Sequence, residues 1–161
     1  MTVTLMDKAE KAFWLPLLFD LLYDNMKDIA PSGAPYEVER GSFISNVSAA
    51  LEKAPRQILL AAQGHVPVGY IQYYTRGELL MVEEVQIRKD YQNTLLFLRL
   101  CRELLKRLPA EIRVVEAYAD PRNERSRRLM AKLGMVELPE GGNYVHFRGE
   151  AMSICRRLRR H

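Results

Sequence analysis

Residues 123–135 read NERSRRLMAKLGM, the most specific pattern in the chain. Asn123 is a favourable helix N-cap, because its side-chain oxygen accepts hydrogen bonds from amides of the first turn. Leu129 and Leu133 repeat at the spacing of one helix face, and Gly134 is the residue type that ends helices in the left-handed conformation. The segment predicts a short helix with an inward apolar face, a unit that any strand–helix protein could contain.

Three strand-like runs stand upstream of this segment, at Gln57–Gln63, Val66–Thr75 and Glu78–Ile87. Two-residue turn signals, Gly64-His65 and Arg76-Gly77, join them. Turns this short connect antiparallel neighbours, so the runs predict a meander of three strands.

An amphipathic segment and another apolar run lie between the meander and residues 123–135. Asn93–Leu108 places apolar residues on one face and charged residues on the other, and it predicts a long helix. Ile112–Tyr118 is rich in β-branched residues and predicts a strand. A helical crossover permits parallel pairing whereas hairpins force antiparallel pairing, so the sheet should be mixed.

The N-terminal part predicts one strand and two helices. Thr2–Leu5 alternates like a strand, and Asp7 can cap a helix that runs to about Asn25. A second helix opens at Ser42 or shortly before it and ends at Pro55. Both helices therefore precede most of the sheet.

Two further strands are expected near the C-terminus. Met135–Leu138 is the first, a Gly141-Gly142 loop follows, and the alternating Met152 and Ile154 indicate a final strand. The predicted order is β-α-α-β-β-β-α-β-α-β-β. This is a mixed α/β (α+β) fold whose central sheet is mostly antiparallel and flanked by helices.

The length and composition favour one globular domain over residues 1–161. Apolar residues make up 48% and charged residues 27% of the chain, far from the composition of disordered proteins. The N-terminus lacks the basic and apolar regions of an export signal, and no apolar run is long enough to span a bilayer. Cys101 and Cys155 have no paired spacing, so a cytoplasmic location without membrane contact is expected.

Charge and histidine content argue against two further classes of function. The net charge of +4 is too mild to indicate nucleic acid binding, and the arginines between residues 156 and 160 lack interleaved aromatic residues. His65, His146 and His161 have no ligand spacing, so no metal site is expected.

The element order together with residues 123–135 resembles the GCN5-related N-acetyltransferase (GNAT) superfamily. Its members commonly carry an asparagine, a small residue, a leucine and a terminal Leu-Gly pair, matched here at Asn123, Ser126, Leu129, Leu133 and Gly134. The likeness covers the C-terminal two thirds of the chain well and the first two helices only by order. It implies the acyl-CoA N-acyltransferase fold, with acetyl-CoA as co-substrate.

The resemblance also implies where acetyl-CoA binds. In the superfamily a strand binds the pantetheine arm through its backbone, and the next loop surrounds the pyrophosphate with amides at a helix N-terminus, where the dipole favours anions. The implied binding residues are Val85, Ile87, Gln92, Asn93, Thr94, Leu95, Leu96 and Asn123. Leu95 and Phe97 replace the usual small residues of that loop, so their side chains must turn away or the pyrophosphate must sit differently.

Two adjacent glutamates, Glu83 and Glu84, are the candidates for a general base that takes a proton from the attacking amine. Successive strand residues point to opposite faces, so only one of them faces the cleft. Glu83 is slightly favoured if no bulge intervenes, because it then shares a face with Val85 and Ile87. A surface ion pair explains either glutamate, taken alone, about equally well.

Met130 stands where many members of the superfamily have a tyrosine that protonates the leaving thiolate. A thioether has no proton to give, so water, Tyr118 or Tyr144 would take that part. A strand amide near Val85 would serve the oxyanion.

The implied activity is N-acetyl transfer from acetyl-CoA to a primary amine by direct attack in a ternary complex. In the superfamily the acceptor binds near the first two helices. Acidic and aromatic residues there would attract a cationic small-molecule or peptide amine: Asp20, Tyr23, Asp24, Asp28 and Tyr36. The sequence leaves the oligomeric state open, with a homodimer as one alternative. The alternative, favoured by Leu95, Phe97 and Met130, is a noncatalytic acetyltransferase-like domain that acts through protein contacts.

Overall fold

The computed structural model describes residues 1–53, 55–139 and 142–160. Its strands are β1 Thr2–Leu5, β2 Gln57–Gln63, β3 Val66–Arg76, β4 Leu79–Ile87, β5 Val114–Ala119, β6 Val136–Glu137 and β7 Val145–Glu150. Its helices are α1 Lys11–Met26, α2 Tyr36–Glu52, α3 Leu96–Leu105, α4 Glu124–Lys132 and α5 Ala151–Arg159. Gly141 of the predicted loop and His161 lie outside the described residues. Within the described ranges, no helix has the length and apolarity that a bilayer crossing requires.

The strands form one sheet in the order β1-β2-β3-β4-β5-β7-β6. β4 and β5 pair in parallel, and every other neighbouring pair is antiparallel. The crossover through α3 makes the parallel pair possible, since it returns the chain to the same end of the sheet. The prediction of a mixed, mostly antiparallel sheet flanked by helices is confirmed.

Both faces of the sheet are buried under helices, which explains the nearly continuous apolar character of β2. Ile58 and Leu60 pack in the core cluster that α1 and α2 complete, whereas Leu59 and Ala61 pack in the cluster completed by α3, α4 and α5. Successive side chains point to opposite faces, so one strand supplies two separate cores.

The predicted final strand at Met152 and Ile154 is wrong, because this segment forms α5. Ala151, Ile154 and Leu158 are buried and spaced as one helix face, whereas Met152 is 68% exposed. The last strand is instead β7, which precedes this helix. The second helix also begins earlier than expected, at Tyr36 directly after Pro35 rather than near Ser42.

The parallel pair β4–β5 separates part of the way along its length. Its register runs from Leu79 and Val114 to Val82 and Ala117, although β4 continues to Ile87. On the other side of β4, the register with β3 shifts so that Glu83 is an extra residue, a β-bulge. The gap and the bulge lie together in the middle of the sheet and determine where the candidate site forms.

Candidate active site

A cleft of about 780 Å³ opens at the point where β4 and β5 separate. Its walls come from α1 and the segment after it, from the middle of β4, from the end of β5 and from α4. Four carboxylates line it, those of Glu39, Glu83, Glu84 and Asp120, against a single cation among its described lining residues, Lys27. Glu83 and Asp120 are paired with Arg56 and Arg122, so Glu39 and Glu84 are the lining carboxylates that can attract a cationic ligand.

Glu83, at the bulge, is held by a guanidinium. Arg56 Nε donates to Glu83 Oε1 at 3.0 Å, and a second guanidinium nitrogen lies 2.9 Å from the same oxygen. Gln72 Nε2 donates to Glu83 Oε2 at 2.9 Å, and the Arg56 guanidinium also lies over the Tyr74 ring, 4.6 Å from its centroid. Both carboxylate oxygens therefore have donors, which is the arrangement of a structural ion pair.

Glu84, the next residue, has no cationic partner in the described part of the chain. Gln86 Nε2 donates to Glu84 Oε1 at 2.7 Å. Burial raises the pKa of Glu84 to about 7, although hydrogen bonds from the Gln86 side chain and the Val85 backbone lower it. Burial and then the charge of Glu84 also raise the pKa of Tyr70, whose hydroxyl has no hydrogen-bond partner within the described residues.

Behind Glu84 lies a buried amide that the sequence did not single out, Asn25 of α1. Its Nδ2 donates to Gln86 Oε1 at 2.9 Å and to the Ile87 carbonyl at 2.8 Å. Asn25 and Gln86 are each 7% exposed. A signal was present, because Asn25 follows Leu18 and Leu21 on the buried face of α1, where a polar side chain needs a partner.

The loop before α3 is built without glycine and without any left-handed residue. Thr94 Oγ1 donates to the Tyr91 carbonyl and accepts from Leu96 N at 3.2 Å. The backbone amides of Leu95, Phe97 and Leu98 have no hydrogen-bond partner within the described residues. The N-terminus of α3 thus offers free N–H groups, as an anion site requires.

The two large side chains at the start of α3 lie in different surroundings. Leu95 is 69% exposed. Phe97 lines a second, apolar cavity of about 60 Å³ on the other face of the sheet. That cavity shares Val82, Val85, Ala117 and Met130 with the main cleft, so the two cavities adjoin at the gap between β4 and β5.

Arg125 of α4 ties the loop before α3 to the neighbouring helix. It hydrogen-bonds to the side chain of Gln92, and its Nη2 donates to the Gln92 carbonyl at 2.9 Å and to Asn93 Oδ1 at 3.2 Å. Asn123 caps α4 as predicted, accepting from Ser126 N at 3.2 Å, and it also lines the cleft.

The position of the usual tyrosine is occupied by Met130, which is 9% exposed and lies between the two cavities. Tyr118 and Tyr144 both line the cleft, and each is about half exposed. The Tyr118 ring stacks on His146, with centroids 4.4 Å apart and planes at 12°. Two phenol groups therefore face the cleft, and the stacked one has the more restricted ring.

The predicted acceptor residues form a partly aromatic wall. Phe19, Tyr23 and Tyr36 are in mutual contact, with the two tyrosine rings 4.9 Å apart. Tyr36 hydrogen-bonds to Asp20, while Lys27 lies 3.1 Å from Asp24. Of the predicted acceptor residues, only Tyr23 lines the cleft itself.

The predicted site residues fall into two groups. Glu83, Glu84, Val85 and Asn123 line the cleft. The others surround the N-terminus of α3 or lead to it: Ile87, Gln92, Asn93, Thr94, Leu95 and Leu96. Asn25, Gln86 and Arg125, which connect the groups, were not among the predicted residues.

Sequence comparison identifies a family for most of the chain. Residues 17–135, more than two thirds of its length, match the model of the Acetyltransferase (GNAT) family. No curated protein sequence gives a significant match.

Solved structures show the same fold at low sequence identity. An acetyltransferase from Thermus thermophilus is 20% identical with a TM-score of 0.69, covering 93% of this chain and 97% of its own. The PaiA N-acetyltransferase from Thermoplasma acidophilum, solved in complex with coenzyme A, is 12% identical with a TM-score of 0.72 over 93% and 99% of the two chains. YncA from Salmonella typhimurium, solved with its cofactor acetyl-CoA, is 16% identical with a TM-score of 0.57 over 93% of each. By its family match and its fold, the chain belongs to the GNAT family of acetyltransferases.

Proposed function

We propose that the protein transfers an acetyl group from acetyl-CoA to a primary amine by direct attack in a ternary complex, with Glu84 as the general base. The observation that carries this proposal is the position of Glu84, without a cationic partner among the described residues, on the wall of the cleft beside the gap between β4 and β5, where burial raises its pKa to about 7. A base whose pKa lies near neutral pH combines a useful deprotonated fraction with proton affinity. Glu83 is the weaker candidate, because the bulge removes the condition that favoured it and Arg56 occupies its carboxylate.

The residues present fit acetyl-CoA. Free amides at the N-terminus of α3 suit a pyrophosphate, and the unpaired part of β4 suits an extended pantetheine arm. The predicted contacts of Val85, Ile87, residues 92–96 and Asn123 remain part of this proposal. Acetyl-CoA supplies the activated acyl group when bound.

In the proposed reaction the neutral amine nitrogen forms a bond to the acyl carbon while the carbon–sulfur bond breaks. Glu84 accepts the proton that the amine loses. The sulfur departs as thiolate, and Tyr118, Tyr144 or water returns a proton to it. The carboxylates of Glu39 and Glu84, together with the Phe19 and Tyr23 rings that line the cleft, support a cationic amine, from a small molecule or a peptide, as the acceptor.

Two measurements test the proposal. Acetyl-CoA at about 1 mM should raise the melting temperature by mass action, and thiol release across a panel of amines should show turnover. Glu84→Gln should retain the thermal shift and lose turnover, while Glu83→Gln serves as the matched control. Absence of both a thermal shift and calorimetric heat in the wild type would overturn the proposal.

The second candidate is a noncatalytic acetyltransferase-like domain that acts through protein contacts. Met130 in place of the usual tyrosine and a loop without glycine favour it. Binding of acetyl-CoA without turnover on any amine of the panel would support this candidate, and robust turnover would eliminate it.

A further inference from the structure

Glu84, which lines the cleft, is the end of a chain of side-chain hydrogen bonds that begins at Arg125 of α4 and passes through the loop before α3. Arg125 donates to Gln92, and Gln92 Nε2 donates to Asn25 Oδ1 at 3.3 Å. Asn25 Nδ2 donates to Gln86 Oε1 at 2.9 Å, and Gln86 Nε2 donates to Glu84 Oε1 at 2.7 Å. Four structural elements meet in this chain: α4, the loop before α3, α1 and β4.

The direction of the chain is fixed by one backbone atom. The Ile87 carbonyl can only accept, and it receives Asn25 Nδ2 at 2.8 Å and Gln92 Nε2 at 3.0 Å. The amide nitrogens of both residues must therefore face Ile87. Asn25 Nδ2 then donates to Gln86, so the Gln86 side-chain oxygen must accept this bond. The Gln86 side-chain nitrogen therefore faces Glu84 and donates to it.

We infer that Asn25 and Gln86 are positioning residues, which hold the Gln86 N–H group on Glu84 Oε1 and so fix the orientation of the carboxylate that receives the proton of the amine. This inference rests on the proposed function for its catalytic meaning. The geometry itself does not depend on it, because every bond of the chain is present without a substrate. Flipping either amide would bring two donors or two acceptors together at a buried position.

The effect on protonation follows from that direction. A hydrogen bond donated to a carboxylate favours its charged form, so the Gln86 amide opposes the effect of burial on Glu84. On other elements, the titratable and charged groups around the cleft are Tyr23 of α1, Lys27 directly after it, Glu39 of α2, Tyr70 of β3, Tyr118 and Asp120 at the end of β5, and Tyr144 before β7. On β4 itself the neighbour is Glu83 with Arg56. A substitution at Gln86 leaves all of these groups in place.

Gln86→Met is the test variant, because methionine has a similar length and no donor. We expect the pKa of Glu84 to rise by about one unit, since a hydrogen bond to a charged group has roughly that effect. The acid limb of the kcat/KM profile should move to higher pH by the same amount, with activity regained above it. Asn25→Leu should raise the pKa of Glu84 and move the acid limb to higher pH, each by less than Gln86→Met does.

The matched control is Gln72→Met, which removes the corresponding buried amide donor from Glu83. It should leave the pKa of Glu84 and the acid limb unmoved. A purely structural effect of either glutamine would lower turnover at every pH without moving the midpoint.

The closing experiment is a ¹³C NMR titration of the glutamate carboxyls, with Glu84 assigned from its absence in Glu84→Gln, in parallel with the pH profiles. The titration needs no acceptor, so it decides the positioning inference even if no amine is acetylated. An unchanged Glu84 pKa in Gln86→Met overturns the inference. A shifted pKa with an unmoved acid limb upholds the positioning and overturns Glu84 as the base. If Asn25→Leu folds and leaves the pKa unchanged, Asn25 has no part in it. If that variant does not fold, Gln86→Met decides alone.

Discussion

Two polar clusters lie side by side on β4 and differ mainly in one side chain. The Arg56 cluster comprises Arg56, Gln72 and Glu83, and the Asn25 cluster comprises Asn25, Gln86 and Glu84. Each contains a glutamate that accepts from a buried glutamine. Only the first contains a cation, so its carboxylate is committed to an ion pair, whereas the second keeps a carboxylate with a pKa of about 7.

The difference shows how one strand can carry a structural and a reactive carboxylate at successive positions. The bulge makes Glu83 an extra residue in the register with β3, so the two side chains enter different surroundings. Burial without a counter-ion retains the proton on Glu84 up to neutral pH, which is the state of a base ready to exchange it.

The largest expected effect is the difference in catalytic activity between substitutions of Glu84 and of Glu83. Glu84→Gln should lower kcat/KM for acetyl transfer by about 10²–10⁴-fold, the range for loss of a positioned general base. Glu83→Gln should lower it by less than about tenfold, because Arg56 keeps its contact with the Tyr74 ring. Steady-state kinetics at pH 8 measure both, and a larger loss in Glu83→Gln would reverse the assignment.

The pH dependence of stability should also distinguish the two clusters. The pKa of Glu84 is raised from 4.5 to about 7, so the folded state keeps a proton that the unfolded state loses. The contribution of Glu84 to stability is therefore full below about pH 4.5 and is lost as the pH rises through about 7, a change on the order of 3 kcal/mol at about 1.4 kcal/mol per pKa unit.

Glu84→Gln removes this loss, because glutamine does not ionise. Its free energy of unfolding in urea should exceed that of the wild type at pH 8 and equal it at pH 4.5. A variant that is less stable than the wild type at pH 8 would contradict the raised pKa. Glu83→Gln is the control, and it should show no such gain.

Removing the cation should weaken the Arg56 cluster. Arg56→Met leaves Glu83 with the Gln72 donor alone, and the free energy of unfolding should fall by about 1–3 kcal/mol at pH 8. Urea denaturation measures the change. Arg56→Lys keeps the charge without the planar fork and should recover only part of it, so equal stability of the two variants would argue against a geometric ion pair.

The smallest effect is expected in the loop before α3. Leu95→Gly restores the residue type usual in the family, yet the Leu95 side chain is already 69% exposed. The dissociation constant of acetyl-CoA by calorimetry should change by less than about threefold, as for other surface substitutions. Tenfold tighter binding would show instead that the leucine restricts the site.

Local signals in the sequence predicted much of the fold. β1 and β2 have the predicted bounds, Asn123 caps α4, and Gly134 has a positive φ of 83° at the end of that helix. These features depend on neighbouring residues, through alternation, side-chain capping and backbone conformation. The final helix differs from the predicted strand, because Met152 and Ile154 alternate as in a strand whereas Ala151, Ile154 and Leu158 fit one helix face.

The site was less predictable because its decisive contacts join distant parts of the chain. Asn25 and Gln86 are 61 positions apart, and Gln92 and Arg125 are 33 apart. Both glutamates were predicted from the sequence as candidates, but Arg56 was not identified. The ion pair of Arg56 with Glu83 is what makes the surroundings of the two carboxylates different. The position of the bulge depends on how β3 and β4 align, which side-chain alternation alone does not fix.

The length of the two edge strands affects whether molecules of this protein can associate by pairing strands. β1 spans Thr2–Leu5, and β6 spans only Val136–Glu137. Strands this short offer few backbone groups to a second molecule, which protects a protein against aggregation by edge-to-edge pairing. A homodimer, which the sequence leaves open, is therefore expected to bury side chains on a helix or sheet face rather than continue one sheet into another.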